Sequence, residues 1–156
     1  DVGHFTTDIL LMNNFQWIQE SSNSSVGMYK AVMELQNRLG AKGTNATLIE
    51  CQEIMRTGKL KEFGTFRDVS DLVKEAIPMT VSTVVQDVKN LLGNQARTID
   101  HIIIAGGGSN SVFEELKNLW PQCTLAENPR YSVAVGMRKY GVSQALSDPS
   151  CLELTA

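Results

Sequence analysis

The chain has 156 residues, 42% of them hydrophobic and 20% charged, with a formal net charge of −3. That length suffices to bury one sizeable core. The lack of a basic excess argues against direct binding of nucleic acid, and no apolar run comes near the ~18 residues of a membrane span.

The first segment, Asp1-Val2-Gly3-His4-Phe5-Thr6-Thr7-Asp8, sets a carboxylate, a glycine turn and two hydroxyls ahead of an apolar run ending at Met12. It reads as a β-hairpin whose tip holds phosphate. Gly3 permits the turn, the N–H groups of Gly3, His4 and Phe5 form a concavity for an anion, and Thr6 or Thr7 adds a hydroxyl donor. Asp1 then reaches a water of a phosphate-bound Mg²⁺, an ion that keeps several waters and takes few carboxylates. The plainer reading is an ordinary hairpin with Asp and Gly in its turn. Strands are expected over residues 6–12 and 15–20, joined by Asn13-Asn14.

After a Ser/Asn-rich loop, Met28, Ala31, Val32, Leu35 and Leu39 recur at helical spacing, and Gly40 stands where a C-terminal cap falls. Thr47 and Glu50 make a capping box for a short helix that stops at Gly58. Residues 59–67 read as irregular, so 41–68 is taken as a helical insertion at the surface. From Val69, the positions Leu72, Val73, Ala76, Ile77, Val81, Val84, Val88, Leu91 and Leu92 trace one helical face, which Pro78 is expected to kink or break. A strand over 101–105, a helix over 112–120, a strand over 123–127 and a helix over 131–146 complete the order, with 147–156 as a tail.

Gly106-Gly107-Gly108-Ser109-Asn110-Ser111 joins the apolar run Ile102-Ile103-Ile104-Ala105 to a helix. A glycine triplet allows φ > 0 and lets a planar ligand lie against the backbone, and the N–H groups of the next helix start suit a polar or anionic group. Ser111 with Glu114 is read as the capping box of that helix. The run lacks both the P-loop pattern and the third glycine of the dinucleotide fingerprint. By itself it is equally well a tight turn. Cys51, Cys123 and Cys151 are odd in number and widely spaced, which fits reduced thiols in a cytoplasmic protein better than a disulfide framework or a zinc site.

Taken together the two glycine loops carry a resemblance. Asp1-x-Gly3-x-x-Thr6-x-Asp8, followed by Ile102 to Asn110 and by Glu127-Asn128-Pro129-Arg130-Tyr131-Ser132-Val133-Ala134-Val135-Gly136, resembles the second lobe of the actin-like ATPases, and within them the ParM/StbA plasmid-segregation family. The resemblance implies an α/β, RNase H-like lobe over 1–146, with a mixed five-stranded sheet and helices on both faces. It also implies that an N-terminal lobe, absent from this chain, precedes it. ATP and Mg²⁺ would lie between the lobes. Gly3, His4 and Thr6 would face the phosphates, with Asp1 the catalytic carboxylate acting through the metal's waters, and Gly106, Gly107, Gly108 and Ser109 would face the nucleoside. His4 and Phe5 depart from the smaller residues common in that hairpin. The implied output is filament assembly from copies of the protein, in the cytoplasm, moving plasmid DNA through a DNA-binding adaptor, with no direct contact to nucleic acid or membrane.

The residues alone leave other classes open. One is a lobe of a small-molecule kinase of the same superfamily. Another is an RNase H-like nuclease that sets Asp1 and Asp8 around two metals, and a third is a scaffold lobe without turnover. Glu50 and Glu53 either reach a ribose hydroxyl or form a solvated helix face. Trp17, Trp120 and Tyr131 read as core or rim packing. Gly136, inside the last helix, suggests close approach of a sheet or ligand there. Arg130 and Lys139 read as solvated charges or as part of a subunit contact.

Overall fold

The computed structural model describes residues 1–147; the expected tail, Cys151 included, lies outside the described residues from 148 onward. Strands β1 (Thr6–Asn13) and β2 (Gln16–Val26) form an antiparallel hairpin. Its turn is Asn14-Phe15, both with positive φ (48° and 61°). This is one residue later than expected, because Asn13 pairs with Gln16 as the last rung. The second strand also runs through the serine-rich stretch that reads as a loop. Its partner holds it there: Thr7 faces Ser25 and Ile9 faces Asn23. Where the register shifts, the Ser21 hydroxyl accepts the Leu11 N–H at 3.2 Å in place of a backbone carbonyl.

Helix α1 (Tyr29–Ala41) buries Ala31, Val32, Leu35 and Leu39 as the spacing predicts. It continues through Gly40, and the left-handed residue that follows is Gly43 (φ 82°). Helix α2 (Leu48–Thr57) has the expected ends. The Thr47 hydroxyl accepts the Glu50 N–H at 3.2 Å, the Glu50 carboxylate accepts the Thr47 N–H at 2.7 Å, and Gly58 closes the helix with φ 69°. Residues 59–67 are not irregular. They form the antiparallel hairpin β3 (Lys59–Glu62) and β4 (Thr65–Asp68) around Phe63-Gly64 (φ 49° and 82°), with Leu60 buried beneath.

Helix α3 (Ser70–Leu92) runs unbroken through Pro78. Proline removes one bond and disfavours a helix interior by about 3 kcal/mol. Against that stand seven buried Leu and Val side chains on this helix, each worth about 1.5–3 kcal/mol as an upper bound. The core has two parts. Leu35, Leu39, Cys51, Ile54, Leu72, Val73 and Ala76 belong to one; Val81, Val84, Val88, Ile104, Val112, Leu116 and Cys123 belong to the other. Ile77 packs against both, immediately before Pro78.

A short 3-10 helix (Gly93–Arg97) leads to β5 (Ile102–Ile104), α4 (Ser109–Leu119), β6 (Cys123–Leu125) and α5 (Ser132–Ser147). The first of these strands pairs in parallel with the second. The expected mixed five-stranded sheet is not formed: the described residues hold three separate two-stranded sheets. Among the described residues only Val2 links the first hairpin to the parallel pair by backbone bonds, through an isolated bridge to Thr7 and a bond to Ala105, so no continuous ladder joins them there. Trp120 packs against the core, whereas Trp17 and Tyr131 are exposed by 56% and 61%. The Trp17 indole N–H donates to the Ser22 hydroxyl at 2.7 Å. No helix of the described residues is long and apolar enough to cross a membrane.

Candidate functional site

Two loops from opposite ends of the sequence meet at Val2. Its N–H donates to the Ala105 carbonyl at 2.7 Å, and its carbonyl accepts the Gly108 N–H at 2.9 Å. Gly106 adopts φ 94°, and a Cβ built there would collide with the Asp1 carboxylate and the Val2 carbonyl. Only glycine permits this turn, and it packs directly against Asp1.

The three glycines have distinct roles. A Cβ on Gly108 would meet Met28 Cγ at 2.5 Å and Val2 Cγ1 at 2.8 Å, so that residue is shaped by internal packing. A Cβ on Gly107 would meet nothing within 4 Å. Gly107 is therefore the one member of the triplet that faces open space, and neither Gly107 nor Gly108 has the positive φ expected of the triplet. Helix α4 starts at Ser109 with Gly108 as its N-cap residue, without a side-chain cap. The Ser111–Glu114 box is not formed, because the Gly106 turn brings the chain into helical conformation before Ser111 is reached. Ser109 is buried, and its hydroxyl has no hydrogen-bond partner among the described residues.

The first loop is a tight turn in which Gly3 donates to the Thr6 carbonyl at 2.8 Å. Its carbonyls point at α1: Phe5, Gly3 and His4 accept the N–H groups of Gly27, Met28 and Tyr29 at 2.9, 3.1 and 2.6 Å. A Cβ on Gly27 would strike the backbone of His4, Phe5 and Thr6 at 2.5–2.6 Å. Sequence reasoning missed Gly27 and Met28, although a glycine just ahead of a helical pattern was the available signal. With the carbonyls turned inward, the amides of His4 and Phe5 have no acceptor among the described residues. Those two amides are uncommitted, while the Gly3 amide is consumed by the turn.

Side chains around the turn are partly committed. The Thr6 and Ser24 hydroxyls donate to Asp8 at 3.0 and 2.8 Å, and Thr7 is buried, donating to the Val26 carbonyl at 2.8 Å. Asp8 lies opposite Asp1 on the ladder, its N–H donating to the Asp1 carbonyl at 2.9 Å. The His4 ring touches Phe5 and Tyr29 edge-on, and its Nε2 lies 3.1 Å from the Gln52 amide. The second loop is steadied by Pro129, whose carbonyl accepts the Gly106 N–H at 2.8 Å and the Ser132 hydroxyl at 2.8 Å.

Glu50 and Glu53 are not brought to these loops by any bond. Thr47 binds Glu50 and holds its carboxyl below the ordinary range, and Arg56 does the same for Glu53. Both line a surface cleft of about 500 Å³ with Lys59, Lys61 and Phe66, while Gln52 of the same helix is the residue that reaches His4. His101 is exposed, ahead of β5.

This fold and this pair of loops define an actin-type lobe. Residues 1–118 match the sequence profile of the archaeal actin homologue MreB-like C-terminal family. The chain belongs to that family. Its structure is similar to the archaeal actin homologue Ta0583 in complex with ADP (TM-score 0.81, 19% identity, 92% of this chain and 48% of that one). It is also similar to the pCBH ParM non-polymerisable quadruple mutant (TM-score 0.78, 24% identity, 92% and 45%). A third similar structure is a 15-stranded ParM filament from Clostridium botulinum (TM-score 0.77, 23% identity, 92% and 44%). At these identities the likeness shows the fold, and the chain spans less than half the length of each of these solved structures. No curated protein matches it.

Proposed function

We propose that this chain is the C-terminal nucleotide-binding lobe of an actin-like ATPase, with residues 1–146 as one lobe and 41–68 as its insertion. The observation that carries the reading is the clamp at Val2, which sets the hairpin tip beside the Gly106 turn. The free amides of His4 and Phe5, the open backbone at Gly107 and the buried, unpartnered Ser109 hydroxyl are the uncommitted polar and backbone groups of the two loops so joined. That donor set suits phosphate at the hairpin and a nucleoside against Gly106, Gly107, Gly108 and Ser109. The ADP complex of Ta0583 supports the choice of an adenine nucleotide.

Among the described residues no three His, Cys, Asp or Glu side chains gather into a metal cage. Asp1 is exposed; its carboxylate would hold a phosphate-bound, hydrated Mg²⁺ through the metal's waters, and the ion would neutralise phosphate charge. The chain's own part in hydrolysis is positioning. Gly3 shapes the turn, His4 and Phe5 would donate their amides, and the Thr6 hydroxyl, which donates to Asp8 in this structure, would have to leave that bond to reach a phosphate. An N-terminal lobe supplies the opposite wall and excludes water. ParM filaments with the same lobe architecture support head-to-tail self-assembly, an open heterologous contact, with plasmid DNA moved in the cytoplasm through a DNA-binding adaptor as its output. A two-metal nuclease is disfavoured because Asp8 is engaged by Thr6 and Ser24.

Calorimetric titration of the full-length protein with ATP tests the reading. Gly107→Val fills the open side and should weaken binding at least roughly tenfold, while the melting temperature stays within about 2 °C of wild type. Unchanged affinity in the folded variant removes the glycine turn from the site.

A further inference from the structure

Two aromatic rings stand at the turn that carries the uncommitted amides. The His4 and Phe5 rings meet edge-on with centroids 4.6 Å apart, and Tyr29 of α1 closes the group at 5.4 Å from each. The backbone beneath them is fixed, because α1 holds the carbonyls of Gly3, His4 and Phe5, that of His4 at 2.6 Å from the Tyr29 N–H. Side-chain rotation is the freedom left to the turn. Phe5 has no polar side-chain atom by which to be held, but His4 does: its Nε2 lies 3.1 Å from the Gln52 amide. Either orientation of that amide keeps the bond, its nitrogen donating to a bare ring nitrogen or its oxygen accepting from a protonated one.

Gln52 comes from far along the chain. It lies 48 residues beyond His4, on α2, within residues 41–68. The Thr47–Glu50 box fixes that helix at its start, Gly58 ends it, and Cys51 and Ile54 anchor its inner face in the core. Gln52 is exposed, yet its backbone follows directly on buried Cys51 and so has a set position. Among the described residues no other hydrogen bond joins 41–68 to 1–28.

We infer that Gln52 is a positioning residue for the phosphate turn, holding the His4 ring against Phe5 and Tyr29 and so clear of the amides that take the anion. This rests on the nucleotide reading above and names a residue outside both loops on which that site depends. At a half-buried position a directed hydrogen bond selects one rotamer more sharply than ring contact alone. Released from Gln52, the His4 ring would sample other staggered rotamers beside its own N–H, and bulk there competes with a phosphate oxygen for the amide pair.

Four forms of the full-length protein test the inference: wild type, Gln52→Ala, His4→Ala and the double variant. In calorimetric titration Gln52→Ala should bind ATP roughly threefold to tenfold more weakly than wild type, the range that one neutral hydrogen bond sets, with a melting temperature within about 2 °C. His4→Ala removes the ring instead of freeing it and should bind ATP more tightly than Gln52→Ala does. Adding Gln52→Ala to His4→Ala should then change affinity by less than about twofold. In ¹⁵N-histidine spectra recorded without nucleotide, the imidazole signal that disappears in His4→Ala should shift in Gln52→Ala. An unshifted signal overturns the inference, and so does an ATP affinity that Gln52→Ala leaves unchanged. A loss of equal size with and without the His4 ring means that Gln52 contacts the nucleotide itself, and a loss in His4→Ala as large as in Gln52→Ala makes the ring a ligand; either overturns it. Wild-type protein that binds no ATP refutes the nucleotide site, and the imidazole signal then still decides whether Gln52 holds the ring.

Discussion

Val2 is held from two sides, donating to Ala105 at 2.7 Å and accepting from Gly108 at 2.9 Å. The clamp has a consequence for every residue near it. Asp1 and the Gly106 turn are brought into contact, with Gly107 open beside it. The glycine triplet therefore does three jobs at three positions: a left-handed turn, an open face and a packing contact.

Gly106→Ala should lower stability, whereas Gly107→Ala should not. The first places a Cβ at φ 94° against Asp1 and Val2; the second places one in open space. Backbone strain alone accounts for about 1–3 kcal/mol, which in a chain of this size lowers the melting temperature by several degrees. Thermal unfolding of the two variants checks the order, and equal melting temperatures would remove the left-handed turn from the account.

In the full-length protein, Asp1→Asn should reduce Mg²⁺-dependent ATP hydrolysis roughly tenfold or more while changing ATP affinity by less than about threefold. The carboxylate is proposed to act through the metal's waters, and asparagine retains its volume. Comparing phosphate release with calorimetric affinity checks it. Equal losses of both assign Asp1 to the architecture of the hairpin instead.

Thr47→Ala should destabilise the chain by about 1 kcal/mol at neutral pH, because the α2 N-terminus loses its cap. The Thr47 amide and hydroxyl hold the Glu50 carboxyl below its ordinary value of 4.5. Glu50 thus binds its proton less readily folded than unfolded. Its contribution is complete above pH 4.5 and is lost as the pH falls through the depressed folded value. Urea denaturation of wild type and Thr47→Ala at neutral pH and at about pH 3 should show the gap narrowing in acid. A gap that widens there contradicts the assignment.

Cys51 and Cys123 are fully buried, and burial pushes both thiols up from their ordinary pKa. Both should resist alkylation in the native state. They sit in different halves of the core, divided at Ile77 and Pro78. Leu35→Ala should therefore speed labelling of Cys51 more than that of Cys123, and Val112→Ala should do the reverse, each core truncation costing about 1–5 kcal/mol. Mass spectrometry of the labelled peptides reads each site separately. Equal acceleration at both thiols by either variant means that the two halves open as one unit.

Local rules were legible wherever the partners lie within a few residues. The Thr47–Glu50 box, the Gly58 cap and the spacing of Val32, Leu35 and Leu39 all act across a single turn or one helix face, and all appear as expected. The same reasoning failed for residues 21–26, whose serines and asparagine have no strand pattern of their own and become a strand by pairing with β1. It failed at Ser111 as well, where a correct capping motif was pre-empted by the turn at Gly106.

The amino-acid sequence by itself determined the order and type of most elements, the candidate residues of both loops and the likeness to an actin-type lobe, because glycine, capping and periodicity signals act over short separations. Tertiary structure decided how those residues are arranged. Pro78 stays helical because side chains on both sides of it are anchored in separate cores, and the first hairpin and the parallel pair stay separate sheets because, among the described residues, Val2 alone bridges those two. Gly27 and Met28 enter the site because the first turn of α1 binds the hairpin's carbonyls and so leaves its amides free. Such choices depend on which distant segment arrives alongside, and nothing within a few residues of each position encodes that.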